Sequence, residues 1–174
     1  MDAIFDIPII GVLIQFVVYV IAALPVVAPT IVAAATPIAL GAMCGFMNER
    51  SGVVNIGIEG MMLTAAFVAW WSASLAAQVV PNVGIGFLGI TLPLLIGLVA
   101  AILAAMAVSA VHAWLSISVR ADQIISGTII NIFAVGITGY LNLLISKQSP
   151  PSAGQFQALQ LPGFIVNVPV LGFL

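Results

Sequence analysis

The chain has 174 residues, of which 63% are hydrophobic and only 5% charged, with a mean hydropathy of +1.33. Soluble domains carry about 25% charged residues, so this composition places the protein in a membrane. It also lacks a basic patch or acidic run and so excludes a nucleic-acid partner.

Lipid offers the backbone no hydrogen-bond partners, which leaves helices or closed barrels. Apolar runs of 16 to 28 residues without period-two alternation predict helices. The expected fold is all-α: a polytopic transmembrane bundle of about five spans. Ile9–Leu24 is the first apolar segment, short for a crossing and suited to a tilted or partly inserted helix. Pro25 and Pro29 predict a break, because proline removes a donor and disfavours helix just before it. Thr30–Met47 follows, with a Gly41-x-x-x-Gly45 pair that either admits a neighbouring helix or reflects chance in a glycine-rich chain. The start has no Lys or Arg, which argues against a cleaved signal peptide.

A polar island interrupts the pattern from Asn48 to Gly60. It holds Glu49, Arg50 and Glu59, three of the eight charged residues (5 acidic plus 3 basic), with Asn48, Asn55 and glycines at 52, 57 and 60. A charge at bilayer depth costs roughly 2.5–3.5 kcal/mol, so such residues face a cavity, a partner or a pathway. Glu49 and Arg50 are neighbours and would diverge on a helix; a solvated turn is the plain alternative for both. Glu59, among Ile56, Ile58, Met61 and Met62, is expected to be half-buried and paired.

Met61–Val80 is the next span, with Trp70 and Trp71 near its middle instead of at an interface. Residues 81–84 read as a short turn, and Phe87–Trp114 as a long span with His112 near its end. His112 is expected to be packed or interfacial. A second polar break carries Arg120, Asp122 and Gln123, and Ile124–Ile145 carries Asn131 and Asn142. From Lys147 the chain becomes a loop outside the bilayer, 147–174, ending on apolar residues that read as the start of a further span. Two of the three basic residues, Arg50 and Arg120, fall on one side, which the positive-inside rule makes cytoplasmic. Five crossings then put the N-terminus inside and the tail loop outside.

No catalytic, cofactor or metal site is visible. There is no phosphate-binding Gly-rich loop followed by Lys-Ser/Thr, no His-Glu-x-x-His, and Cys44 is the single cysteine. The polar candidates for a pathway or structural role are Glu49, Arg50, Asn55, Glu59, Arg120, Asp122 and Asn131.

The run Glu49-Arg50-Ser51-Gly52-Val53-Val54-Asn55-Ile56-Gly57-Ile58-Glu59-Gly60-Met61-Met62-Leu63 resembles a signature of bacterial ABC-transporter permeases of the sugar and nucleoside type, within the ribose and branched-chain amino-acid permease family. Arg120–Asn131 is similar to that subgroup's second motif, and Leu161–Phe164 with Val168–Gly172 to its external loop. The resemblance implies the N-terminal half of an importer permease for a small polar solute in a bacterial-type plasma membrane. It implies partnership with cytoplasmic ATPase subunits, a second permease and an extracytoplasmic solute-binding protein, besides lipid. The family's second half, expected to hold the main ATPase-contacting loop, lies beyond these residues, so independent transport by them is not expected. The alternative is a structural or assembly membrane protein in which the island only sets topology.

Overall fold

The computed structural model describes residues 8–81, 84–85, 90–154 and 156. Its elements are helices α1 (Pro8–Arg50), α2 (Ile58–Val79), α3 (Leu92–Ala113) and α4 (Gln123–Ser146). A two-residue antiparallel pair, β1 (Gly84–Ile85) with β2 (Ile90–Thr91), precedes α3. Among the described residues, four stretches are long and apolar enough to cross a membrane: Val26–Arg50, Ile58–Val79, Leu92–Ser118 and Gln123–Ser146. The polytopic helical bundle is therefore as expected, with corrections in the first helix and at the bounds of α3.

The expected break at Pro25 and Pro29 is not present. Helix α1 runs through both prolines for 43 residues, more than twice the ~20 needed for one crossing. Each proline removes one donor, but leaving the helix in lipid would orphan many more backbone groups. Gly11–Leu24 is thus a shorter apolar helix continuous with the first span. The expectation of an N-terminus on the island's side depended on a separate crossing there. The sides of the later loops do not depend on it.

The chain divides into two compact units, Met1–Leu40 with Gln160–Leu174, and Gly41–Leu159. In the first, the described part is the Pro8–Leu40 stretch of α1, whose apolar side chains from Val12 to Leu40 are largely exposed. The second holds the end of α1, the polar island, α2, α3 and α4.

There α2 and α3 form the closest pair. A Cβ on Gly97 would lie 2.8 Å from the Ala69 carbonyl oxygen and 2.9 Å from Ala73 Cβ, so the absence of a side chain is what lets these helices approach. Ala73, Leu94 and Ala153 form a small buried cluster, with Ala77 and Ile90 packed against it. Helix α3 starts at Leu92, with Thr91 as cap and proline in its first turn, where a missing donor costs nothing; the expected start at Phe87 lies outside the described residues. Its far end continues as a π-turn, Trp114–Ser118, which carries the span past the expected end at Trp114. Gly41 and Gly45 meet Ile58 and Met62 side chains at 3.5–3.9 Å, ordinary contact and not close helix-on-helix packing. Residues 82–83 of the expected turn, and Gly172 and the rest of the tail beyond 156, lie outside the described residues.

Candidate functional site

Helix α1 ends within the polar island. Gly52 has φ of +81°, the Gly52 N–H donates to the Glu49 carbonyl (3.0 Å), and the Val53 N–H donates to the Asn48 carbonyl (3.1 Å). This is a Schellman closure, in which a left-handed glycine lets the chain double back onto the last carbonyls. Glu49 and Arg50 occupy that final turn, both exposed, with the Arg50 guanidinium 5.6 Å from the centre of the Phe46 ring. A cation there also complements the negative helix end.

From Val53 to Gly57 the chain is not helical, and its backbone groups need partners. Helix α4 supplies them. Gln123 Oε1 accepts from the Val54 N–H at 2.6 Å, Asn131 Nδ2 donates to the Ile56 carbonyl at 3.0 Å, and Asn131 Oδ1 accepts from the Gly60 N–H at 2.7 Å. Asn131 uses both ends of its amide, which fixes its orientation. Asn55 closes the segment locally, its Oδ1 accepting from the Gly57 N–H at 2.9 Å.

This lacing needs backbone-to-backbone proximity. A Cβ on Gly60 would fall 2.8 Å from Asn131 Oδ1 and 2.9 Å from both Asn131 Cα and the Ile130 carbonyl oxygen. A Cβ on Gly127 would fall 2.8 Å from the Gly57 nitrogen. Both positions are buried. The result is an unwound segment bolted to the first turns of α4.

The second polar break builds the start of that helix. Arg120 has φ of +56°, unusual for a residue with a side chain, and turns the chain out of the π-turn. Asp122 then caps α4: its Oδ1 accepts from the Ile124 N–H (2.8 Å) and the Ile125 N–H (3.1 Å). Beside it, buried His112 Nδ1 lies 3.0 Å from Ser126 Oγ, joining α3 to α4.

Of the residues singled out from sequence, Asn55 and Asn131 each fasten backbone of the same turn, Asn55 from within it and Asn131 from α4, and Asp122 caps the helix that carries Asn131. Glu59 does not match its expectation. It is exposed, in the first turn of α2, where a carboxylate complements the positive helix end. Its buried neighbours are Gly60 and Met61, about 100° and 200° further round the helix, so Glu59 points away from them. Gln123 and Gly127 were not singled out. Their signal was a polar and a small residue on the first turns of a membrane helix.

A family model described as the branched-chain amino acid transport system / permease component matches residues 27–171. The chain belongs to this permease family. A guanosine ABC transporter permease protein, NupQ of Bacillus subtilis, is 38% identical over 152 residues, 86% of this chain and 44% of the relative. A nucleoside ABC transporter permease protein, NupC of Lactococcus lactis, is 30% identical over 79% of this chain and 40% of its own length. A putative glucose ABC transporter permease protein, TsgC13 of Haloferax volcanii, is 30% identical over 81% of this chain and 38% of its own length. The chain thus spans less than half the length of these relatives. No solved structure matches it. The family is one of transport permeases.

Proposed function

We propose that this chain is part of the membrane-spanning permease subunit of an ATP-binding-cassette importer, carrying a nucleoside or a simple sugar. The observation that carries the reading is the family match over residues 27–171, joined by relatives named for guanosine, nucleosides and glucose.

In this reading the energy comes from separate cytoplasmic ATPase subunits, a second permease completes the pathway, and an extracytoplasmic binding protein delivers the solute. The membrane is the bacterial-type plasma membrane. The 51–57 and 119–122 turns face the cytoplasm, and the loop from Lys147 faces outward. Glu49, Arg50 and Arg120 then lie at the cytoplasmic face, and Asn55 and Asn131 form the internal fastening between the break and α4.

Deleting the gene in its host and measuring uptake of labelled guanosine, glucose and leucine tests this. Nucleoside or sugar uptake falls and returns on complementation. A selective loss of leucine uptake, or no change in any of the three, overturns it.

A further inference from the structure

At the end of the α2–α3 pair opposite the polar island lies a groove of about 590 Å³, closed on one side by residues 150–154 and Phe156. Its volume is within the ~300–1,000 Å³ range of small-molecule sites. The wall is built and fastened. Ser74 Oγ donates to the Pro151 carbonyl at 2.9 Å, and Ala153, which packs on Ala73 and Leu94, is buried.

The chemistry of the lining selects the occupant. None of its residues is charged. A zwitterionic amino acid would find no counter-charge there for its ammonium or its carboxylate. Two aromatic side chains line it, Trp70 at 40% and Phe156 at 57% exposure. The Trp70 indole N–H makes no hydrogen bond among the described residues. Ser152 is exposed, and its Oγ accepts from the Gly154 N–H at 3.2 Å, which leaves its own O–H free to donate. A flat, uncharged ring with acceptors at its edge and a hydroxylated appendage meets each of these groups.

We infer that this groove is a nucleoside subsite in which Trp70 stacks on the base and thereby discriminates nucleosides from amino acids. It rests on the importer reading above. The position of Trp70, unusual for a tryptophan in mid-span, is explained by contact with a planar solute.

The test uses the transporter assembled with this chain, in proteoliposomes, with nucleoside uptake and basal ATP hydrolysis measured together. Trp70→Ala raises the KM for guanosine by roughly five- to a hundredfold, the range that base–aromatic stacking spans. Trp70→Phe stays within about threefold of the parent, because a ring is retained. Basal hydrolysis is unchanged in both, which separates loss of the subsite from loss of assembly. A second measurement takes the fluorescence difference between the parent assembly and its Trp70→Phe form, so that the difference reports Trp70. Guanosine then quenches its fluorescence saturably and leucine does not. A parent that carries guanosine while Trp70→Ala keeps the parental KM overturns the subsite alone, as does Trp70 shielded from both guanosine and acrylamide by another helix. A parent that carries no nucleoside overturns the importer reading for nucleosides as well.

Discussion

Asn131 on α4 and Gly60 on α2, 71 residues apart in sequence, share a 2.7 Å hydrogen bond at a point where the backbones leave no room for a Cβ. The same asparagine also donates to the Ile56 carbonyl. One side chain therefore satisfies backbone on both sides of the turn that opens α2. Asn131→Ala strands a partly buried N–H and a carbonyl, at about 1–3 kcal/mol for each group left without a partner. Asn142 is the control. It is exposed and accepts only from Ser146 Oγ, so Asn142→Ala stays within ~0.5 kcal/mol of the parent. Thermal unfolding of the detergent-solubilised protein distinguishes them, and equal midpoints would remove the fastening role of Asn131.

Gly60 and Gly127 give a second prediction, because the reason for each glycine is steric. Alanine at either places a carbon at 2.8 Å from a heavy atom, closer than real contacts allow, so α2 and α4 must part. Overpacking of this kind costs typically 1–3 kcal/mol. Gly136 and Gly139 on α4 have nothing within 4 Å of an added Cβ. Alanine there is neutral or stabilising by roughly 0.5–1 kcal/mol through helix propensity. Gly127, Gly136 and Gly139 share helix α4, and extraction yield with midpoint temperature should move in opposite directions for the two pairs of variants. A Gly60→Ala protein as stable as Gly139→Ala would contradict the close approach.

How far sequence reached can be judged on the same residues. Asn55, Asp122 and Asn131 were legible because a polar side chain in an apolar chain needs a partner. Their partners were not, since backbone N–H and carbonyl groups carry no residue signature. Ile56, Ile58, Met61 and Met62 surround Glu59 in sequence and predict a half-buried carboxylate, which the structure does not show. Helical rotation at Ile58 turns Gly60 and Met61 inward and Glu59 outward. Pro25 and Pro29 were read by a local rule that lipid overrides. The polar island itself marks the end of α1, which the left-handed Gly52 closes.

The two acidic residues at helix starts should behave differently. Asp122 accepts two backbone N–H groups that have no other partner, so Asp122→Ala costs about 0.5–2 kcal/mol, and Asp122→Asn retains most of the cap. Glu59 makes no such bond and only complements the helix end. Glu59→Gln costs about 0.3–1 kcal/mol, less where salt screens it. Melting curves of the three variants in one detergent rank Asp122→Ala lowest. A larger loss for Glu59→Gln would mean that the carboxylate is paired in the assembled protein.

Orientation is the last prediction, and it depends on three charges and the alternation of spans. The 51–57 and 119–122 turns stand at one end of α2 and α3, with Arg50 and Arg120 beside them. Residues 147–154 follow α4 at the other end, where Ser74 near the end of α2 bonds Pro151. Lys and Arg concentrate on the cytoplasmic side of membrane proteins, and two of the three are at the first end. Ser118 and Ser152 are both exposed, so either accepts a cysteine without disturbing the core. Cys44 is itself free and exposed and must first be replaced by alanine. In intact cells a membrane-impermeant maleimide then labels Ser152→Cys and spares Ser118→Cys. After lysis it labels both. Labelling of Ser118→Cys alone in intact cells would invert the protein, and with it the assignment of the Arg120 turn to the ATPase side.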